Sequence, residues 1–295
     1  MRRYWTIASQ RRVHAPGAFM RPRFGRSLRF ADRNRTGDVQ MPSLMSHPLF
    51  LFIVSFVAML IGAFAGARLA HRHRKLADDI RDDFNVVQAA TLTLLALMIG
   101  FTFSMAVSRY DQRKNYEEEE ANAIGTEYLR AGLLPDTDAQ RVQTLLRRYL
   151  DQRIRYYLAH DDDSIARIDA ATNQLENDLW MAVRNVAVEK QTPVIALAVS
   201  GMNDVINTQG YTQASWWNHI PLAAWSLMLG IGLFCNLLIG YGMRGQTRRN
   251  AVLLIWPIVI ALSFALVADI DSPRGGLIRL APVNLIALSQ TLGPN

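Results

Sequence analysis

Four stretches of about twenty residues in which almost nothing is charged limit this chain more than any other feature. Such a stretch can lose its water only as a helix, because the bilayer interior offers no partner to an exposed peptide group. Pro48 to Leu69 holds one charge, Arg68, at the end where it can snorkel to the headgroups. Val86 to Ser108 and Ile220 to Met243 hold none. Ala251 to Ala268 is the shortest and contains Pro257, which predicts a kink and is better tolerated in a membrane than in water. Interfacial aromatics mark the same limits: Tyr110 follows the second stretch, Trp216 and Trp217 precede the third, and Tyr241 closes it. The expected architecture is therefore an all-α membrane protein. Four transmembrane helices form two hairpins, residues 47–109 and 219–270, and the hairpins flank a helical bundle over residues 110–218.

The segment between the hairpins is acidic by about six charges and shows only helical periodicity. Polar sequence continues from Ser108 without a breaker as far as Leu134, so the second span is predicted to run out of the membrane as one long helix that stops at Pro135. A second helix, capped by Asp136 or Thr137, extends to His160 with Val142, Leu145, Leu146, Tyr149, Ile154 and Leu158 as its apolar stripe. Asp161, Asp162, Asp163 and Ser164 end it and cap the next, which carries Ile165, Ile168, Leu175, Leu179 and Val183. The fourth starts at Thr192 with Pro193 in the first turn. Residues 271–295 read as a C-terminal tail.

A net charge of +7 would ordinarily bring nucleic acid to mind. Here the excess sits in an Arg-rich leader and in two loops between apolar stretches, with no nucleic-acid-binding motif beside it, so nucleic acid is not an expected partner. The expected partners are the lipid bilayer and further copies of the chain. Cys235, the single cysteine, lies inside an apolar stretch and can neither close a disulfide nor build a zinc cluster. His71 and His73 are two apart and diverge on a helix, and no phosphate loop, nucleophile elbow or zinc-protease motif occurs. The Asp161 to Asp163 run lacks the alternating ligands and turn glycine of a calcium loop. The expectation is a protein without catalytic activity, cofactor or metal.

Functional candidates lie in the spans. Ala58, Gly62, Gly66 and Ala70 in the first, and Ala96, Gly100, Ser104 and Ser108 in the second, recur every four residues and so share one helical face each. Two such faces can pack on each other, which is the favoured reading, or one can line a polar path. Asn236, four residues from both Gly232 and Gly240, faces the same choice, with an interhelical hydrogen bond favoured. Glu117 to Glu120 point around most of a helix and are expected to form a solvated face, with Arg113–Glu117 and Lys114–Glu118 as weak pairs. Asp269 and Asp271, at the exit of the last span, are the strongest isolated carboxylates, and solvation in the headgroup region is the leading account of them.

Several of these residues sit in longer runs. Gly100-Phe-Thr-Phe-Ser-Met-Ala-Val-Ser-Arg-Tyr-Asp-Gln-Arg113, Glu120-Ala-Asn-Ala-Ile-Gly-Thr-Glu-Tyr-Leu-Arg130, Leu133-Leu-Pro135 and Asp269-Ile-Asp-Ser-Pro-Arg-Gly-Gly276 resemble the bacterial bestrophin-like membrane family. The resemblance covers the chain from about Ser46 onward. It departs before the third span, where the family tends to carry an Asn…Asp…Arg pattern: here Asn203 is followed by Asn207, and no Arg lies between Asn207 and Pro221. The likeness implies a relation to pentameric anion channels with a narrow neck of aromatic and aliphatic residues on the second span. Phe101 and Phe103 lie in that span and point about 200° apart, so at most one faces a pore axis. It also implies a calcium-holding acidic cluster beyond the last span, of which Asp269 and Asp271 are a thin version.

Two functions are therefore expected: an oligomeric anion channel, or a non-conducting sensor or scaffold that binds a partner or ligand through its bundle. The location is a bacterial inner membrane, crossed several times. Residues 1–46, with about ten Arg against Asp32 and Asp38, read as a targeting peptide, a basic tail, or sequence upstream of the true start. The last is favoured because Met45-Ser-His-Pro leads directly into the first span, making the leader untranslated or disordered. Arg72, Arg74, Lys75 and Arg81 in one loop, and Arg244, Arg248 and Arg249 in the other, favour a cytoplasmic position for both loops and an exterior bundle. A real Arg-rich leader, like the family resemblance, favours the inverse.

Overall fold

The computed structural model describes residues 48–72, 78–242 and 249–293, with side chains from 81 and from 254 onward in the last two segments. The leader 1–46 and the basic residues Arg74, Lys75, Arg244 and Arg248 lie outside the described residues. Among those described, every regular element is a helix, eight in order: α1 (Pro48–Arg72), α2 (Asp78–Ala131), α3 (Asp136–Leu158), α4 (Asp162–Glu189), α5 (Pro193–Trp217), α6 (Leu222–Gly242), α7 (Arg249–Asp271) and α8 (Val283–Leu292). Helices α1, α2, α6 and α7 supply four segments long and apolar enough to cross a membrane.

Helix α2 sets the dimensions. Its 54 residues rise about 80 Å, while the hydrocarbon core is about 30 Å thick, so more than half of it stands outside the membrane. It continues past Ser108 without interruption, and its last carbonyls are met by the tight turn Gly132 to Leu134 before Pro135. Helices α3, α4 and α5 then pack around its outer half, α2 on α5 and α3 on α4 forming the broadest contacts of the bundle. Asp161 caps α4 by accepting the Ser164 N–H at 2.7 Å, and Thr192 caps α5 through Ile195 N–H at 3.3 Å. The cap proposed for α3 is different. Its N-cap is Pro135, with no side-chain bond, and Asp136 and Thr137 lie inside the first turn, where Asp136 favours the positive end of the helix dipole. The tail 271–295 contains α8, which packs on α2 and α3.

Three apolar clusters are stacked along α2. Met59, Leu95, Met228, Cys235, Ile260 and Phe264 fill the membrane layer. Ala106, Ile220, Val267 and Ile270 fill the junction, and Ile124, Leu146, Tyr149, Leu179, Val183 and Met202 lie in the core of the bundle. The outward sides of α1 and α7 expose Leu49, Ile53, Ile61 and Phe64, and Ile255, Val259 and Leu262, as lipid-facing helices do.

The small-residue faces do not meet as a matched pair. The face of α1 packs on α6. An added Cβ at Gly66 would overlap the Leu237 carbonyl oxygen and lie 2.9 Å from the Tyr241 nitrogen; at Gly240 it would overlap the Ala63 carbonyl and lie 3.0 Å from the Ala67 nitrogen. The two helices run parallel, residue numbers rising together, and their backbones dovetail at glycine. Gly100 of α2 meets nothing within 4 Å. In the membrane layer, the helices of one expected hairpin are thus not the ones that touch most closely: α1 lies chiefly against α6 and α7. Helix α7 passes through Pro257 as one element.

Candidate functional site

The buried side of α2 follows one seam with alternating spacings of three and four residues. In the membrane it comprises Leu95, Thr102 and Ala106, and in the bundle Arg113, Glu117, Glu120, Ile124 and Glu127. Thr102 donates to the Met98 carbonyl at 2.9 Å and sits 3.2 Å from the sulfur of Met228. At about 100° per residue, Phe101 and Phe103 lie to either side of Thr102, and Gly100 and Ser104 lie nearly opposite it. Gly100, Phe101, Phe103 and Ser104 are all exposed, Phe101 to 59% and Phe103 to 39%. Thr93, Ala96 and Ser108 extend the same outer stripe. Four of the sequence candidates are therefore unpacked, Gly100 and Ser104 together on the outer side and Phe101 and Phe103 at its two edges. The small and hydroxyl-bearing residues of that side are interspersed with exposed Leu94, Leu97 and Met105, whereas Leu, Ile, Val and Phe dominate what α1 and α7 turn outward.

Asn236 is elsewhere. It is fully buried between α6 and α1, where its Nδ2 donates to the Gly232 carbonyl at 2.8 Å and lies 3.3 Å from the sulfur of Met59. Its amide is satisfied mainly within its own helix, so the interhelical contact is to sulfur, a weak acceptor. Its Oδ1 has no hydrogen-bond partner among the described residues.

Asp269 and Asp271 are not dissolved in headgroup water. They are 6% and 3% exposed, and both are held by protein donors where the last span ends. Asp269 accepts the N–H groups of Leu277 at 2.7 Å and Ile278 at 3.0 Å, folding the chain after α7 back on itself. The turn requires glycine at 276, where a Cβ would overlap the Asp269 carboxylate and come within 2.9 Å of its carbonyl. Asp271 accepts the Ile220 N–H at 3.0 Å, faces Arg109 of α2 at 3.4 Å and has His219 Nδ1 at 3.6 Å. It therefore joins the end of α7, the start of α6 and the point where α2 leaves the membrane. These carboxylates do not suit a calcium ion. Their oxygens already accept protein donors, one of them from a guanidinium, and among the described residues no group of three acids, histidines or cysteines could hold a metal.

Glu117 and Glu120 overturn the reading of Glu117 to Glu120 as a solvated face. Glu118 and Glu119 are exposed, but Glu117 is 1% exposed and Glu120 fully buried. Glu117 accepts Asn284 N–H and Leu285 N–H, each at 2.9 Å, and so holds a carboxylate at the N-terminus of α8. Arg113 does the reverse for α5. It donates to the carbonyls of Ser215 at 3.2 Å and Asn218 at 3.0 Å, a cation at a helix C-terminus. Neither Arg113–Glu117 nor Lys114–Glu118 is an ion pair among the described residues. Glu120 pairs with the equally buried Arg153 of α3 and also accepts from Thr212 at 3.1 Å and Tyr157 at 3.2 Å. The attraction of Glu120 raises the Arg153 pKa despite the opposing cost of burial, keeping it charged. The seam spacing was the signal for these residues. Four consecutive glutamates hid it, because composition alone reads as solvent-exposed.

A family model of the Bestrophin-like domain matches residues 51–285. Among solved structures, a point mutant of a bacterial bestrophin homolog from Klebsiella pneumoniae is similar, at 13% identity and a TM-score of 0.57, over 83% of this chain and 97% of that one. The homolog solved by Zn-SAD phasing is 14% identical, with a TM-score of 0.57, over 83% and 95%. At such identities the likeness is one of fold. No curated protein is significantly similar in sequence. The matched region takes in α2, the bundle, the second hairpin and the Asp269–Asp271 junction, and with it this chain belongs to the bestrophin-like family.

Proposed function

We propose that the protein is a homo-oligomeric channel for small anions, with the outer stripe of α2 turned toward a shared axis. One observation carries the reading: on α2, the span that continues into the bundle, Thr93, Gly100, Ser104 and Ser108 form a stripe of small and hydroxyl-bearing residues left exposed among the described residues. A helix facing lipid along this stripe would offer hydroxyls and bare backbone to hydrocarbon, whereas copies arranged about an axis give them water and one another. Phe101 and Phe103 flank the stripe, so rotation of α2 brings one or the other to the narrowest point. Preference for anions follows from the likeness to bestrophins.

The test is chloride flux from liposomes containing the purified protein, with mass photometry for its oligomeric state. Gly100→Leu should cut the flux several-fold while leaving assembly intact, since among the described residues nothing beyond its own stretch of helix stands within 4 Å of a Cβ there. A monomer, or an oligomer without flux, would refute the channel and leave a sensor or scaffold that uses its bundle alone. Flux indifferent to Gly100→Leu and Ser104→Leu would place the path elsewhere than α2.

A further inference from the structure

Within the bundle, away from the stripe, Arg153, Arg274 and Trp216 converge around Tyr156, with Asp169 of α4 close enough to act on its hydroxyl. The Arg153 guanidinium lies 4.6 Å from the Tyr156 ring centre and that of Arg274 lies 4.7 Å from it. Arg274 also covers Trp216 at 4.2 Å, and the Tyr156 and Trp216 rings are 5.2 Å apart. Asp169 of α4 feels both arginines, whose charges oppose the upward push of burial on its carboxyl. Thr172, one turn further along α4, is fully buried.

Among the described residues, six shielded atoms of this group have no hydrogen-bond partner: Arg153 Nη1, Arg274 Nε and Nη2, Trp216 Nε1, Thr172 Oγ1 and Asp169 Oδ1. Buried polar atoms are rarely left unpaired, so several in one neighbourhood call for a physical reason. Four of the six are donors only, and two of those belong to Arg274, which enters no ion pair among the described residues. Asp169 senses both arginines yet forms an ion pair with neither. A molecule lying between them would have to present anionic oxygens to the guanidinium and indole donors, and a donor of its own to Asp169 and Thr172. Asp169 and Arg274 are half-buried while Arg153, Thr172 and Trp216 are buried, so access is from the Asp169 and Arg274 side.

We propose that this cluster binds a small carboxylate that also carries a hydrogen-bond donor, an amino acid or hydroxy acid. The carboxylate engages Arg274, Arg153 and the Trp216 N–H, and the amino or hydroxyl group engages Asp169 and Thr172. The proposal does not depend on ion permeation.

The test is thermal unfolding of the full-length protein in detergent at fixed ionic strength, with glycine, glycolate, acetate or chloride added. Glycine or glycolate should raise the midpoint by about 2–4 °C at saturation, acetate by less, and chloride not at all. Arg274→Gln should remove the shift. Because losing a guanidinium stacked on two rings can itself disturb the fold, Asp169→Asn is the second variant: it keeps the shape and should erase the preference for glycine over acetate. No shift with any of the three carboxylates, as when ordered water fills these positions, would overturn the proposal. So would an equal shift in Arg274→Gln, or an unchanged preference in Asp169→Asn.

Discussion

Replacing Gly66 by alanine adds one methyl group, and the structure says what it must displace. The new Cβ would overlap the Leu237 carbonyl oxygen and lie 2.9 Å from both the Leu237 carbonyl carbon and the Tyr241 nitrogen. All three are backbone atoms of α6, so no side chain can rotate away. Relief requires α1 and α6 to separate, which loosens the reciprocal contact of Gly240 with Ala63 and the cover of Met59 on Gly232. Overpacking a well-filled interior costs about 1–3 kcal/mol, and rigid neighbours place this substitution at the upper end. Gly100→Ala is the control, the same methyl at a position with nothing within 4 Å, and should change stability by less than about 0.5 kcal/mol. Tryptophan fluorescence during thermal unfolding in detergent reports the difference, since Trp225 packs on the Phe264 ring in the membrane layer. Equal midpoints for the two variants would refute the dovetailed α1–α6 contact. A destabilised Gly100→Ala with an unaffected Gly66→Ala would show that the close-packed face belongs to α2.

Two further predictions concern the charges of the bundle. Arg153→Met should cost about 3–5 kcal/mol because it strands the buried Glu120, whereas the double variant Glu120→Leu with Arg153→Met should recover most of that loss; denaturant melts of both variants decide it. Glu127, about 28 Å beyond Ser108 and so outside the membrane, is fully buried with both oxygens unpartnered, and burial pushes its pKa up to about 8. Between the ordinary carboxylate range and about pH 8 the folded chain therefore holds a proton that the unfolded chain has released, so stability falls as pH rises through that window. Glu127→Gln should flatten the fall, which unfolding midpoints from pH 5 to 9 would show; an unchanged slope would mean that Glu127 is ionised in the fold.

The spans could be read from sequence because transfer into hydrocarbon is additive along the chain and needs no knowledge of neighbours. The neighbours themselves were not legible. Ala58, Gly62, Gly66 and Ala70 announce a face that some backbone approaches closely, but the same pattern would serve α2 or α6, and only the fold selects α6. The α4 and α5 caps were legible because Asp161 and Thr192 act within three residues of themselves. Helix α8 was not, since the carboxylate at its N-terminus comes from Glu117, 167 residues earlier. Asp269 and Asp271 stood out as costly acids at a membrane boundary, and they proved costly enough to be fully partnered.

The outward direction of Gly100 and Ser104 is not decided within the membrane. From Val86 to Ser108 no side of the helix carries a charge, so the hydroxyls of Thr93, Ser104 and Ser108 bias its rotation only weakly compared with the charges that follow. Beyond Ser108 the same unbroken helix carries Arg113, Glu117 and Glu120, each bonded to a different element: the end of α5, the start of α8, and α3. Turning α2 by one residue, about 100°, would break all three and bring the exposed Lys114, Glu118 and Asp111 toward the core. Stranding even one buried charge costs several kcal/mol, far more than the difference between rotations of the span. The bundle thus fixes which side of α2 faces outward in the membrane. A ligand or partner that altered the packing of α3, α5 or α8 would act on the stripe through the rotation of one stiff helix.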